Sequence, residues 1–265
     1  MEYKNIGFTV SKVKNCLEEE KILIDGGFKK IESVSDLKKN KIDLLFVLGG
    51  DGFMLRTIHK YLNCKVDFYG VNCGTQGFLL NNPKYLYESS MSELLKNSKK
   101  YTINPLKAKI INNNGKEKIV YAINEIAILR STHNASHIKI FIEDTERLPK
   151  LICDGIIVSS PAGSTAYNLS LNGPILPLDS NFVAITPISP FCPRLWRGAL
   201  VKNNKKIKFE MLSSDTRTVS VTSDYNEFKN ALTVEISVEF SKKVNILFNN
   251  FENIEEKIIN QQFNY

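Results

Sequence analysis

The segment from residue 42 to residue 52 constrains the fold of this chain more than any other. The apolar run IDLLFVL at 42–48 leads directly into GGDG at 49–52. Such a run is expected for a strand that is buried on both faces, as in a parallel sheet covered by helices. FMLRTIHKYLN follows the glycines and predicts a helix. A buried strand that turns through glycine into a helix is typical of an α/β domain.

Neighbouring segments continue this pattern. Residues 5–10 predict a first strand, and residues 12–27 predict a helix that two glycines end. VDFYGVN at 66–72 predicts a further strand, which leads to the glycine-containing turn at 74–77. Because strands alternate with helices, we expect an α/β domain with a parallel sheet over residues 1–100.

The pattern changes near Tyr101. From there on, short β-type runs are separated by turns rich in Asn, Gly and Pro, and Asn114-Gly115 is a strong hairpin signal. We therefore expect a mostly-β domain over residues 101–243. The segment 244–265 predicts a strand and an amphipathic helix, which we expect to pack back on the first domain.

Composition excludes several classes of protein. The apolar share of 43% and the charged share of 24% are ordinary for a globular protein. The N-terminus lacks the basic and then apolar pattern of a signal peptide, and the apolar runs are far shorter than the roughly 20 residues that cross a bilayer. The 5 cysteines include no CxxC pair, which argues against a disulfide framework or a zinc site. We expect a soluble cytoplasmic protein with no membrane partner.

The formal net charge of +7 is compatible with nucleic-acid binding. The lysines, however, are spread along the chain and form no patch interleaved with aromatic residues. Enrichment in Lys, Asn and Ile together is what an A/T-biased genome would produce. We therefore expect no nucleic-acid partner, although a positive field would help to attract a substrate that carries phosphate.

The GGDG loop is the first candidate site. Gly49, Gly50 and Gly52 would let the backbone approach a ligand and offer N–H groups to phosphate oxygens. In open α/β sheets, ligands bind beyond the carboxyl ends of the strands, where this loop lies. The loop matches neither the Walker A pattern nor GxGxxG. In the alternative interpretation, Asp51 only caps the helix that follows a tight turn.

The second candidate is the pair Asn124-Glu125 inside the β-type run YAINEIAIL. Burying these side chains in apolar surroundings costs free energy unless they are paired. An amide next to a carboxylate can bind ribose hydroxyls or the edge of a base. In the alternative interpretation, Glu125 faces solvent and Asn124 stabilises a bulge.

The third candidate is the segment CDGIIVSSPAGSTAYNLS at 153–170. Small and hydroxyl-bearing residues dominate between a strand and a helix predicted to begin at Thr165. Their N–H groups and hydroxyls, together with the Tyr167 ring, suit a nucleoside. The segment lacks GxSxG, which argues against a nucleophilic serine. The alternative is an ordinary polar loop with a helix cap at Ser164.

Four other residues carry weaker signals. His133 and His137 are four residues apart, but they lie in a predicted loop or strand end, so we expect no metal binding there. We interpret Trp196 as a packing anchor. Asp224 follows the run VSVTS and is either an ordinary hairpin residue or a ligand contact.

Together the motifs resemble those of the bacterial NAD kinase family. GGDG alone also occurs in diacylglycerol and sphingosine kinases and, more distantly, in phosphofructokinases, whereas the NE pair and the GSTAY segment favour NAD kinases. TPISPFCPRLWRGAL and Phe53-Met54-Leu55 resemble the alphaproteobacterial branch. The resemblance rests on the order and spacing of GGDG at 49–52, Gly-x-x-Gly-Phe-Leu at 74–79, NE at 124–125, the segment at 153–170 and GPI at 173–175.

The resemblance implies the two-domain architecture of diacylglycerol and NAD kinases, with a site between the domains and a dimeric or tetrameric assembly. It implies transfer of the γ-phosphoryl group of ATP, in some members of polyphosphate, to the 2′-hydroxyl of the adenosine ribose of NAD. The product would be NADP. Mg²⁺ would arrive with the nucleotide phosphates, so no residue is assigned as a metal ligand.

By motif position, Asp51 would be the catalytic base, and Gly49, Gly50 and Gly52 would admit the phosphates. Asn124 and Glu125 would hold ribose hydroxyls or the adenine edge. The remaining pocket residues implied by the resemblance are Asp154, at the other ribose, and Ala162, Thr165, Ala166, Tyr167, Asn168, Leu169 and Ser170.

Three positions near these motifs call for separate interpretation. Arg56 is either a phosphate contact or a helix-surface residue. Phe53 stands where a Thr often follows GGDG in the family, and Ile152 stands where some relatives carry a basic residue.

Two rival functions remain open. One is a lipid kinase of the same superfamily, which would need an apolar groove for acyl chains. The other is a non-catalytic dinucleotide-binding regulator, against which the intact Asp51 argues.

Overall fold

The computed structural model describes residues 3–12, 16–74, 77–250 and 254–263. The chain divides into two compact units, one formed by residues 1–103 and 242–265 and the other by residues 104–241. None of the described helices is long and apolar enough to span a membrane.

The elements follow one another along the chain in three stretches. The first contains β1 (Ile6–Val10), α1 (Leu17–Asp25), β2 (Lys29–Lys30), α2 (Val34–Lys39), β3 (Leu44–Gly49), α3 (Asp51–Tyr61), β4 (Asp67–Asn72), α4 (Lys84–Glu88), α5 (Met91–Lys96) and β5 (Ser98–Ile103). The second contains β6 (Leu106–Asn112), β7 (Glu117–Ala122), β8 (Glu125–Arg130), β9 (Ser136–Ile142), β10 (Thr145–Cys153), β11 (Gly155–Ser159), a 3₁₀ turn (Ala162–Thr165), α6 (Tyr167–Ser170), β12 (Phe182–Ile188), β13 (Ala199–Lys202), β14 (Ile207–Leu212), β15 (Val219–Ser223), β16 (Asn226–Lys229) and β17 (Ala231–Val238). The third contains β18 (Val244–Asn249) and α7 (Ile254–Phe263).

The first unit is built on a six-stranded sheet in the order β2-β1-β3-β4-β18-β5. All neighbours pair in parallel except β18 and β5, so the predicted α/β domain with a parallel sheet is confirmed. Every residue of β3 is buried. Because successive side chains of a strand point to opposite faces, β3 is covered on both of them, as its apolar run predicts.

The predicted helix at 12–27 is shorter in the structure, where α1 begins at Leu17. Residues 13–15 lie outside the described part of the chain, as do residues 75 and 76 in the predicted glycine-containing turn. The C-terminal strand and helix are confirmed as β18 and α7. The strand β18 inserts between β4 and β5 of the first unit's sheet.

The second unit consists of two six-stranded sheets whose pairings are antiparallel, so the mostly-β prediction is also confirmed. One sheet has the order β10-β9-β14-β17-β6-β7 and the other β13-β12-β11-β8-β15-β16. A single core joins them: Phe209 and Val234 of the first sheet belong to the same buried cluster as Ile156 and Val221 of the second.

The prediction that YAINEIAIL is a single β-run is wrong. The chain leaves the first sheet after β7 and enters the second at β8, and it crosses again from β10 to β11. The breaks lie at Ile123-Asn124 and at Asp154. Apolar residues continue on both sides of each break because the strands on either side contribute to the same core.

Candidate active site

Asp51 is held by backbone groups that lie far from it in the sequence. It is the first residue of α3, after Gly50 at the N-cap position. One carboxylate oxygen accepts the N–H of Phe78 at 2.7 Å and the other accepts the N–H of Leu79 at 2.9 Å. The interpretation of Asp51 as a mere helix cap is therefore wrong, because its carboxylate accepts the N–H groups of Phe78 and Leu79.

The environment of Asp51 makes its carboxylate a stronger base than usual. Burial raises the pKa of the carboxyl above its ordinary value, and the N–H donors of Phe78 and Leu79 and the charge of Lys257 offset only part of that rise. An ionised carboxylate has about four acceptor positions, so two backbone bonds fix its orientation and leave lone pairs for a substrate hydroxyl.

Lys257 brings a positive charge from the C-terminal helix α7. Its ammonium group donates to the carbonyl oxygen of Leu80 at 3.0 Å, one residue beyond the N–H of Leu79 that binds Asp51. The C-terminal segment of the first unit thus contributes to the electrostatics around Asp51. The sequence carries no signal for this contact, because the two residues are remote in the chain.

The glycines of GGDG have different surroundings. A Cβ on Gly49 would lie 2.9 Å from the Phe53 ring and 3.1 Å from Ser11 Cβ, so Gly49 permits close packing of β3 and α3. A Cβ on Gly52 would meet only the Arg56 guanidinium, at 3.7 Å. Gly52 and Arg56 are exposed on the first turns of α3, beside free N–H groups of a helix N-terminus. This face of the loop is open to an anion.

The backbone of the Asn124-Glu125 turn is held from two sides. The Asp224 carboxylate accepts the N–H groups of Ile123 at 2.8 Å, Asn124 at 2.9 Å and Glu125 at 3.2 Å. From the other side, the Ser160 hydroxyl donates to the carbonyl of Ile123 at 2.6 Å, and the Ser160 N–H donates to that of Asn124 at 2.8 Å. The turn is therefore a rigid platform for its two side chains.

The side chains of this turn, in contrast, keep buried polar atoms unpaired. Oδ1 of Asn124 and Oε2 of Glu125 are buried, and neither has a hydrogen-bond partner among the described residues. Burial, and second the negative charge of Asp224, raise the pKa of Glu125 to about 8. An unpaired buried polar group costs about 1–3 kcal/mol, so two of them on one rigid turn indicate a ligand site. The interpretation with Glu125 facing solvent is wrong.

Asp154 lies at the second crossing between the sheets and forms an ion pair. Its carboxylate is 2.6 Å from Nε of Arg130, at the end of β8. Both side chains contribute to a cavity of about 410 Å³, whose other lining residues are Leu129, Ser131, Thr132 and His133. A basic residue thus accompanies Asp154, although Ile152 is apolar.

In the segment 160–170, some side chains are buried and hold the local backbone in place, whereas others are accessible to solvent. Asn168 is buried, and its amide donates to the carbonyls of Ser164 at 3.1 Å and Pro174 at 3.0 Å and accepts the Thr186 hydroxyl at 2.7 Å. Ser164 lies inside the 3₁₀ turn and accepts the N–H of Leu176 at 2.9 Å, so the alternative interpretation of Ser164 as a helix cap is wrong. The helix predicted from Thr165 is a 3₁₀ turn followed by the single turn α6.

The other predicted pocket residues of this segment differ in accessibility. Ala162 is buried, whereas Thr165, Ala166 and Leu169 are half-buried and Tyr167 and Ser170 are exposed. The Tyr167 ring is thus available to stack on a flat group.

The structure also identifies residues that sequence reasoning missed or left open. Asp224 is a hairpin residue, and it organises the Asn124-Glu125 turn as well. Gly163 is required by packing, because a Cβ there would lie 2.6 Å from Cα of Asn124. Trp196 packs against the core of the second unit, as predicted. No three His, Cys, Asp or Glu side chains of the described residues lie close enough together for a metal site.

Comparison with known proteins gives concordant results. The family model for the ATP-NAD kinase C-terminal domain matches residues 123–247. The NAD kinase of Rickettsia rickettsii (strain Sheila Smith) is 41% identical over 226 residues, which cover 85% of this chain and 88% of the relative. The NAD kinase of Rickettsia africae is 40% identical over 240 residues, or 88% of this chain and 92% of the relative.

Solved structures show the same fold at lower sequence identity. A yeast NADH kinase complexed with NADH superposes with a TM-score of 0.83 at 18% identity, over 98% of this chain and 87% of its own. An NAD kinase from Archaeoglobus fulgidus in complex with ATP gives a TM-score of 0.75 at 21% identity, over 96% of this chain and 98% of its own. The Rickettsia relatives agree with the alphaproteobacterial resemblance. This chain belongs to the NAD kinase family.

Proposed function

We propose that this protein transfers the γ-phosphoryl group of ATP to the 2′-hydroxyl of the adenosine ribose of NAD and so produces NADP. The observation that carries the proposal is the Asp51 carboxylate, which two backbone N–H groups orient beside an open helix N-terminus in a member of the NAD kinase family. The complexes of the relatives, with NADH for the yeast enzyme and ATP for the archaeal one, support both substrates.

Asp51 acts as the general base in this proposal. The 2′-oxygen forms a bond to the γ-phosphorus while the bond from that phosphorus to the β,γ-bridging oxygen breaks and ADP leaves. The hydroxyl proton moves to Asp51 as the new bond forms. A carboxylate whose pKa is raised by burial is better suited to this step than an exposed one, because its basicity lies closer to the operating pH.

The N-terminal turns of α3 bind the phosphates in this proposal. The N–H groups of this helix N-terminus, around Gly50 and Gly52, can bind an anion, and the helix dipole favours negative charge there. The exposed Arg56 guanidinium lies next to Gly52 and is suited to bind a phosphate with two parallel hydrogen bonds. Mg²⁺ carried by the phosphates of ATP would neutralise charge on the transferring group.

The second unit supplies groups for the dinucleotide. Asn124 and Glu125 offer unpaired buried oxygens to ribose hydroxyls or to the adenine edge. Asp154 holds the other ribose, and the Arg130 guanidinium, 2.6 Å away, orients its carboxylate. The accessible surface of the segment 162–170 completes this set, with the Tyr167 ring against a flat group of the ligand.

Assembly and location are further parts of the proposal. By resemblance to the family we propose a homo-oligomer, either dimer or tetramer, located in the cytoplasm. Size-exclusion chromatography with light scattering would test the assembly, and a monomeric mass at micromolar concentration would contradict it.

The experiment that tests the function is NADP formation from NAD, ATP and Mg²⁺ by the wild type and by Asp51→Asn. We expect the wild type to form NADP and the variant to lose roughly 10²–10⁴-fold in kcat, which is the usual value of a general base. Binding of NAD and ATP, measured by calorimetry, should stay within a few-fold of the wild type.

Asp43→Asn is the matched control. The Asp43 carboxylate also accepts two backbone N–H groups, from Lys4 at 2.9 Å and Asn5 at 3.0 Å, but it precedes β3 whereas Asp51 follows it. Equal losses of kcat in both variants would show that Asp51 only supports the fold. A wild type that binds NAD without forming NADP would favour the non-catalytic regulator, and one that binds no dinucleotide would contradict the proposal.

A further inference from the structure

Asp224 binds a turn that precedes it by a hundred residues in the chain. Oδ2 of its carboxylate accepts the N–H of Ile123, and Oδ1 accepts those of Asn124 and Glu125. Three consecutive N–H groups therefore converge on one carboxylate. Hydrogen bonds to a carboxylate are roughly twice as strong as those between neutral groups, so the Asp224 side chain holds the backbone of this turn firmly.

The hairpin that carries Asp224 is itself fixed in register. Its first strand, β15, pairs with β8, with Ser223 opposite Ile126. The Asp224 N–H donates to the carbonyl of Glu125 at 3.1 Å, and the Ser223 hydroxyl donates to that of Tyr121. Asp224 has a φ of 50°, a backbone conformation that Asp and Asn adopt more readily than most residues. Hairpin and turn therefore hold each other in one arrangement.

The residue type matters for this contact. A carboxylate offers only acceptors, whereas an asparagine amide would place two N–H donors against a backbone N–H. The carboxylate also brings a negative charge close to Glu125, whose N–H it accepts. Ser160 and Gly163, which contact the backbone of Ile123 and Asn124 from the other side, carry no charge. Burial, and second the charge of Asp224, favour the protonated form of the Glu125 carboxyl and raise its pKa to about 8.

We propose that Asp224 is a positioning residue for the dinucleotide: it fixes the Ile123–Glu125 turn so that the unpaired oxygens of Asn124 and Glu125 face the ligand in one geometry. This inference rests on the proposed function for the identity of the ligand. Asp224 acts through the turn and has no role in the proton transfer assigned to Asp51.

The test compares Asp224→Asn with the wild type in NAD binding, ATP binding and the pH dependence of NAD binding. We expect NAD affinity to fall by about 10–100-fold, because small displacements of positioning groups have effects of that order. ATP affinity should stay unchanged. The midpoint of the pH dependence should move to lower pH, because removal of the negative charge lowers the pKa of Glu125.

Two control variants separate positioning from simple damage to the fold. Ser160→Ala removes a neutral contact to the same turn, so it should weaken NAD binding without moving the pH midpoint. Glu143→Gln removes a carboxylate from another turn, at a φ of 54°, where Oε1 accepts the N–H of Lys206 at 3.3 Å. It should change neither NAD affinity nor the midpoint.

Amide hydrogen exchange of the free protein provides a readout that needs no substrate. The N–H groups of Ile123, Asn124 and Glu125 should lose protection in Asp224→Asn and keep it in Glu143→Gln. Unchanged protection, or unchanged NAD affinity with an unchanged pH midpoint, would overturn the inference. A wild type that binds no NAD would instead contradict the proposed function, and exchange at the turn would still decide the role of Asp224. If Asp224→Asn does not fold, Asp224→Ser takes its place with the same expectations.

Discussion

The two candidate regions use backbone hydrogen bonds in opposite ways. In the first unit, N–H groups of Phe78 and Leu79 bind the Asp51 side chain itself, so the carboxylate is oriented before any substrate arrives. In the second unit, Asp224 binds the backbone of the Asn124-Glu125 turn and leaves the two side chains without partners among the described residues.

This difference matches two different chemical tasks. A group that takes a proton during a reaction must stand within a few tenths of an ångström of one place, and fixed hydrogen bonds provide that accuracy. A group that binds a ligand must have free donors or acceptors. A rigid backbone holds such unpaired groups in place, although burying them lowers the free energy of unfolding. The comparison predicts that damage to the second region weakens binding, whereas damage to the first slows chemistry.

The largest effect is expected from Gly163→Ala. The added Cβ would lie 2.6 Å from Cα of Asn124. The atoms that it would meet belong to the backbone of Asn124, which cannot move aside as the end of a flexible side chain can. We expect a loss of about 3 kcal/mol in the free energy of unfolding and a loss of NAD binding, because overpacking must displace the turn.

Gly115→Ala is the control for this variant. Gly115 has a φ of 71°, but its Cβ would meet nothing within 4 Å, so it should lose only about 1 kcal/mol and keep NAD affinity. Urea unfolding and calorimetry measure both quantities. If Gly163→Ala keeps its NAD affinity, the comparison of the two regions is contradicted, since NAD binding would not need a rigid Asn124-Glu125 turn.

Glu125→Gln should have an intermediate effect that depends on pH. The folded state raises the pKa of Glu125 from 4.5 to about 8, so the folded state binds this proton more tightly than the unfolded state does. The contribution of this group to stability is therefore complete below pH 4.5 and is lost as the pH rises through 8.

We accordingly expect Glu125→Gln to match the wild type in unfolding free energy near pH 4 and to exceed it by roughly 1–3 kcal/mol at pH 9, after allowance for partial exposure. Thermal unfolding across this pH range provides the measurement, and Glu143→Gln, which removes a carboxylate from another turn, is the matched control. A difference that is independent of pH would show that Glu125 is not held in its protonated form.

The smallest effect is expected from Gly52→Ala. Its Cβ would enter open space near Arg56, and alanine is the better helix former by roughly 0.5–1 kcal/mol, so the protein should become slightly more stable. The methyl group would nevertheless narrow the face that we assign to phosphate. We expect a several-fold rise in the KM for ATP with unchanged NAD affinity, and an unchanged KM for ATP would argue against phosphate binding at this face.

Much of the fold could be predicted because its signals are local. The apolar run before GGDG predicts the buried strand β3, and the glycines predict the turn into α3. The hairpin signal Asn114-Gly115 and the short β-type runs predict a mostly-β second unit. Each of these signals depends on residues within about ten positions of one another.

The errors arise where local patterns continue across a change of partner. The runs around Asn124 and Asp154 are apolar on both sides of the polar residues, as in one strand, yet each run is split between two sheets that share one core. The polar residues Asn124, Glu125 and Asp154 mark these breaks, and they are also members of the candidate site. A polar residue inside an apolar β-run is therefore an indication of both a break and a function.

The sequence by itself determined the residue types at each candidate site and their order along the chain, and these were sufficient to show the resemblance to NAD kinases. Only the tertiary structure decided which groups orient them. Asp51 meets Phe78 and Leu79, Lys257 reaches Leu80, and Asp224 binds the turn at Ile123–Glu125. These contacts join segments that are distant in the chain, and their hydrogen bonds depend on strand register and sheet pairing, which no local pattern specifies.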